Sequence, residues 1–239
     1  MTTTLLSPSP LASPVGSASP VAPVPTQPSA YPMEWTLADL QERLGGIPAE
    51  RIHLSPRPGL ATENDVLEIH ARTGLLCELV DGILVEKPMG FYESAVAAVI
   101  IHFLRTYLKS RNLGIVGGEA GMLKILQGRI RIPDVSFIRW DRLPEDRVPM
   151  PAVSPDLAVE GLSKSNTEQE MQDKLDEYFA GGTRLAWIID PQARTARIYH
   201  APGEFTAVDA TGSLTGGEVL PGFELKLQDL FAELDRPEN

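Results

Sequence analysis

The sequence predicts an α/β fold, a mixed β-sheet flanked by helices with an N-terminal helical extension, and three observations lead there. Residues 93–110 repeat apolar side chains at three- and four-residue steps, the pattern of a helix buried along one broad stripe. Two short, nearly all-apolar runs, 156–162 and 185–189, read as central strands covered on both faces. An amphipathic helix lies between those runs, and a strand–helix–strand unit of this kind implies a right-handed parallel crossover.

Composition sets the bounds. Of 239 residues, 43% are hydrophobic and 22% charged, an ordinary globular balance. Length alone allows one domain or two small ones, and the pattern is that of a single domain over residues 34–239. Residues 1–33 carry no charged side chain and hold eight of the 21 prolines, so they read as a disordered Pro/Ser/Ala-rich leader. A signal peptide is the competing account. It lacks a basic start, and proline interrupts each apolar run. No stretch of about 18 apolar residues occurs, so no membrane helix is expected, and a cytoplasmic location is. One cysteine, Cys77, makes an intramolecular disulfide impossible. With only His53, His70, His102 and His200 beside it, a metal would sit on oxygen ligands, which favours Mg²⁺ or Mn²⁺. The net charge of -11 argues against coating DNA or anionic membrane non-specifically, yet leaves room for a local basic groove.

The elements follow in order. Thr36 caps a short helix through Leu37, Leu40 and Leu44 that stops at Gly45-Gly46. Residues 51–59 form a proline-rich loop, and a helix spans 63–73. Two β-rich runs, 76–80 and 83–86, flank Asp81-Gly82, a favoured two-residue hairpin turn. In the long helix, His102 falls off the apolar stripe and belongs at the surface. A second hairpin turns at Gln127-Gly128, with a return strand over 129–140. The helix at 167–180 starts on a capping box of Ser165 and Glu168 and ends at Gly181-Gly182. Antiparallel strands are expected at 196–200 and 204–209, and residues 223–231 close the domain as a strand or a helix.

Two carboxylates stand where carboxylates are costly. Period-two alternation puts Asp134 on one face with Ile130, Ile132 and Ile138, and Glu160 with Ala158 and Leu162. A buried carboxylate needs a cation, a donor network or a metal. A salt bridge or a solvent-facing edge position explains either residue alone equally well. On the following helix, Met171, Leu175 and Tyr178 cluster on one face, and Lys174 lies about 60° from Met171 on its flank. Its stem can run along the sheet toward the strand ends. Spacing alone favours the plainer account, an exposed Glu170–Lys174 pair.

Five blocks then carry a resemblance: Glu78-Leu79-Val80-Asp81-Gly82; Arg131-Ile132-Pro133-Asp134-Val135-Ser136-Phe137; Pro155-Asp156 through Ser163; Lys174-Leu175-Asp176-Glu177-Tyr178; and Trp187-Ile188-Ile189-Asp190-Pro191. In order and spacing they resemble the Uma-two family of restriction endonucleases, similar in fold to the PD-(D/E)XK nucleases. The resemblance implies a restriction-endonuclease-like core, with Asp134 and Glu160 as catalytic residues and metal ligands. Lysine usually lies two residues after the second acid, where this chain has Leu162. The family pattern places it on the next helix instead, matching Lys174. Glu78 and Glu93 are accessory candidates. Gly161 and Lys164 replace the valine and proline usual after the acid; Gly161 loosens the strand, and Lys164 offers a rival ammonium.

The implied activity is Mg²⁺-dependent hydrolysis of DNA phosphodiester bonds, with Mn²⁺ able to substitute. The implied partner is DNA, bound weakly or with assistance given the acidic charge; a homodimer is also considered. The alternative is a catalytically impaired nuclease-fold module for binding or assembly, motivated by the charge, Gly161 and Lys164. An unrelated carboxylate hydrolase would require the Asp134–Glu160 pair to lie far from Lys174.

Overall fold

The computed structural model describes residues 35–88 and 90–235, so the leader expected over 1–33 lies outside the described residues. Helix α1 (Leu37–Arg43) starts at Thr36, whose side chain accepts from the Asp39 backbone N–H while the Asp39 carboxylate accepts from Thr36. The expected proline-rich loop holds a short strand, β1 (Ile52–His53), paired with Val85 and Leu84. Two residues are too few for periodicity to reveal. Helix α2 (Glu63–Thr73) ends at Gly74, whose φ of 77° is the left-handed cap that favours glycine.

Strands β2 (Cys77–Val80) and β3 (Ile83–Glu86) form the expected hairpin. Asp81 and Gly82 both take positive φ, 50° and 74°, as a tight hairpin turn requires. A side chain at Gly82 would also meet the Gly59 backbone at 2.6 Å. Helix α3 (Phe91–Leu108) begins and ends two residues earlier than the apolar pattern suggests. Strand β4 (Gly114–Gly118) was not legible, because Gly114, Gly117 and Gly118 erase the side-chain alternation that marks a strand.

The largest correction concerns residues 129–140. After β5 (Leu123–Leu126) the chain makes not one strand but two, β6 (Arg129–Arg131) and β7 (Val135–Arg139). Proline lacks the N–H that would continue a ladder, and the chain changes sheets at Pro133-Asp134. Strand β6 belongs to a five-stranded sheet ordered β1-β3-β2-β6-β5. Strand β7 joins a second, six-stranded sheet. Asp134 therefore lies at the crossing between sheets, and strand alternation does not set its direction.

The six-stranded sheet is completed by β8 (Leu157–Gly161), β9 (Leu185–Asp190), β10 (Thr195–Ala201) and β11 (Glu204–Val208), in the order β11-β10-β9-β8-β7-β4. Strands β8 and β9 run parallel, joined by α4 (Glu168–Ala180). The cap of α4 is Thr167, which accepts from the Glu170 N–H, and not Ser165. Ser163 instead donates from its backbone N–H to Asn166 in the preceding turn. Residues 223–231 supply both a strand and a helix: β13 (Glu224–Lys226), paired with β12 (Ser213–Thr215), runs into α5 (Leu227–Ala232).

One face of the six-stranded sheet, with Phe137, Val159 and Trp187, is buried under α3 and α5. The other, with Ala158, Ala186 and Ile188, receives Met171, Leu175 and Tyr178 of α4 together with Leu123 and Ile125 of β5. Full burial of Leu175 alone contributes about 2 kcal/mol. Helix α4 is thus pinned to the six-stranded sheet and touches the five-stranded one. That position sends Lys174 into the seam between them.

Candidate active site

The seam collects charged residues from both sheets: Glu78 from β2, Lys87 just beyond β3, Arg131 and Asp134 from the crossing, Glu160 from β8, and Lys174, Glu177 and Tyr178 from α4. The elements are fixed by apolar burial, so the charged groups arrive in a defined geometry. Lys174 Nζ lies 3.2 Å from Glu160 Oε2 and 3.3 Å from Glu78 Oε1. The Tyr178 hydroxyl donates to Glu160 Oε1 at 2.6 Å. Asp134 Oδ2 accepts from the Gly161 N–H at 2.7 Å, and its Oδ1 accepts from Lys87 Nζ at the same distance.

Glu78 anchors the back of the cluster. Its oxygens accept from Arg131 Nη1 at 2.8 Å and from the Ile132 N–H at 3.0 Å. Arg131 Nε in turn donates to Glu177 at 2.6 Å.

Protonation follows from these contacts. Burial alone would raise the Glu78 carboxyl, but Lys174, Arg131 and Lys87 outweigh it and bring it down to about 2. Glu160 goes the other way. Burial raises it, the charges of Asp134 and Glu78 add to that, and Lys174 and Lys87 do not fully compensate. For Lys174, burial opposes the charged form, yet Glu160, Glu78 and Glu170 hold its ammonium above its ordinary value. Burial and the neighbouring Glu160 keep the Tyr178 hydroxyl protonated, as a donor.

Asp134, Glu160 and Lys174 thus come together, with Glu78 beside them. Lys174 is buried in the cluster, which overturns the exposed Glu170–Lys174 pairing; Glu170 is itself buried on Arg51 at 2.6 Å. Because Lys174 touches Glu160, the separated arrangement of an unrelated carboxylate hydrolase is absent. Lys164 is exposed and lines a hollow of about 330 Å³ with Arg197 and Gln172, to which Lys174 does not contribute. Glu93 turns its carboxylate back onto Gly90 at the start of α3; among the described residues it has no hydrogen bond to the cluster. Gly161 does not merely loosen its strand. Its N–H fixes Asp134, and a side chain there would press to 3.3 Å from Asp134 Oδ2.

Lys87, Arg131 and Tyr178 were missed as site residues. Alternation through the hairpin carries a signal for Lys87, since it shares a face with buried Ile83 and Val85. Its backbone N–H donates to Leu76, extending the ladder one residue past β3. Tyr178 read as core from its apolar neighbours, and nothing in the pattern marked its hydroxyl.

The profile of the Uma2 family, described as "Putative restriction endonuclease", matches residues 63–228. The chain belongs to the Uma2 family. The matched span takes in every residue of the cluster, whereas α1 and β1 precede it. A crystal structure of a putative nuclease belonging to DUF820 from Anabaena variabilis is similar, with 21% identity and a TM-score of 0.62, over 68% of this chain and 93% of that one. At that identity the likeness shows the fold alone. No curated protein matches the chain significantly. No helix among the described residues is long and apolar enough to cross a membrane.

The donor set bears on metal binding. Asp134 and Glu160 are hard oxygen donors; burial chiefly raises the Glu160 carboxyl, and the charge of Asp134 adds to it, a repulsion that a divalent cation between them would relieve. Among the described residues no three or more His, Cys, Asp or Glu side chains are grouped to hold a metal. Two carboxylates completed by water suit Mg²⁺, which keeps several waters and favours one or two carboxylates. The donors fit such an ion.

Proposed function

We propose that this Uma2 protein is a divalent-metal-dependent endonuclease that hydrolyses DNA phosphodiester bonds, with Asp134 and Glu160 holding Mg²⁺ or Mn²⁺ and Lys174 acting beside them. The observation that carries this reading is the convergence of Asp134, Glu160 and Lys174 from a sheet crossing, a central strand and a helix, with Glu160 and Lys174 buried together. When bound, the cation supplies Lewis-acid polarisation of a phosphoryl oxygen and acidifies water.

The side chains divide the remaining work. Tyr178 and Lys174 hold the two oxygens of Glu160, and Gly161 holds Asp134, so both carboxylates are oriented before a substrate arrives. Lys174, kept charged by its neighbours, suits stabilisation of negative charge growing on the phosphate better than removal of a proton. Its ammonium can also orient the attacking water by donating to it. Glu78 and Arg131 steady Lys174 from behind.

Mn²⁺ titration tests the ligand assignment. Asp134→Ala or Glu160→Ala should abolish binding in a protein that remains folded, and parent-like binding in both variants would move the site elsewhere. The second reading, a nuclease-fold module that binds without cutting, is favoured by the lysines already paired with both carboxylates and by the net charge of -11. It predicts DNA binding without nicking in Mn²⁺.

A further inference from the structure

The reaction leaves Lys87 without a part, although its side chain is only 5% exposed and reaches Asp134. A buried ammonium is costly unless its protons are paired. Lys87 Nζ donates to the Ile132 carbonyl at 2.5 Å and to Asp134 Oδ1 at 2.7 Å. It therefore grips a backbone oxygen and a carboxylate oxygen on either side of Pro133, at the crossing between sheets. The second Asp134 oxygen is taken by the Gly161 N–H. At 13% exposure the Asp134 side chain is more open than Glu160, at 5%, so a cation from solvent meets Asp134 first.

An ammonium and a divalent cation occupy a carboxylate oxygen through the same lone pairs, the metal at about 2.0–2.1 Å for Mg²⁺. We propose that Lys87 is a positioning residue, the internal counter-ion of Asp134, which holds Oδ1 in the cation-free protein and competes with the divalent cation for it. The proposal rests on the metal-dependent reading above. It also differs from a purely structural role in a measurable way. If Lys87 only clamps the crossing, its removal frees Asp134 and weakens cation binding. If it competes, its removal strengthens binding.

Calorimetric titration of the full chain with Mn²⁺ alone separates the two, comparing the parent, Lys87→Met and Lys87→Gln. Glutamine is included because its amide can still donate to the Ile132 carbonyl, which protects the fold if methionine does not. Folding of each variant is checked by circular dichroism. A folded variant should bind Mn²⁺ about tenfold more tightly than the parent. Parent binding with equal or weaker affinity in the folded variants overturns the role given to Lys87 and leaves the metal reading standing. No binding by the parent or either variant overturns both.

Discussion

Glu78 and Glu160 share one lysine, yet their environments push them apart, so the same substitution should have opposite effects at the two sites. In Glu78→Gln the amide keeps the size but removes the charge that Arg131 and Lys174 face. A carboxyl brought from its ordinary 4.5 down to about 2 contributes about 3 kcal/mol to folding at neutral pH. Breaking a buried pair from one side costs a similar ~3–5 kcal/mol. For a chain of this length the loss corresponds to a fall in Tm of roughly 6–12 °C. Because the folded pKa is depressed, the contribution is fully present above pH 4.5 and is lost as pH falls toward 2. Glu160 has the opposite sign. Its folded pKa is raised, so ionisation above pH 4.5 costs stability, and Glu160→Gln should match or exceed the parent at pH 7. Urea unfolding followed by tryptophan fluorescence at pH 7 and about pH 3 reads both. A Glu78→Gln protein within about 0.5 kcal/mol of the parent at pH 7, or equal losses in the two variants, would mean that the two carboxylates do not contribute with opposite sign.

Further expectations concern the lysines and Asp156. Lys174→Ala should slow single-turnover nicking by about 10²-fold or more, with Lys164→Ala close to the parent; a dead Lys164→Ala beside a normal Lys174→Ala would reverse the assignment. Asp156 is buried where β7 meets β8, accepting from Arg184 at 2.6 Å and from the Arg139 N–H at 2.9 Å. Burial raises its pKa, but these bonds and Arg142 outweigh it and hold it below 3.8, so its contribution is lost only in acid. Asp156→Asn should cost about 2 kcal/mol at pH 7, and the difference should shrink in urea melts near pH 3.

Much of the fold was legible because its elements are long or sharply punctuated. Asp81-Gly82 fixes the first hairpin, the apolar stripe marks α3, and the run from Leu157 identifies the strand that carries Glu160. What was hidden depended on partners distant in sequence. Ile52 and His53 form a strand only because β3 lies beside them, and the glycines of β4 offer no alternation. At Pro133 a local feature was visible, but not the second sheet that makes it a crossing. The site divides in the same way. Asp134 and Glu160 stood out as acids among apolar neighbours. Lys174 looked exposed by spacing, because helical position gives a direction without saying what lies opposite. The opposing surface, Glu78 and Glu160 in the seam, exists only after two sheets have packed around α4. Lys87 carried a weak signal in its alternation with Ile83 and Val85, whereas Tyr178 carried none for its hydroxyl.

The most direct test is the cation dependence of DNA cleavage at the Asp134–Glu160 pair. Supercoiled plasmid is incubated with the purified 239-residue chain in excess, with Mn²⁺ or with chelator, beside Glu160→Gln under the same conditions. Nicking by the parent is expected in Mn²⁺, with none in chelator and none by a folded Glu160→Gln protein. Nicking that persists in chelator, or a Glu160→Gln protein that cuts at the parent rate, would contradict cation-dependent cleavage at this pair.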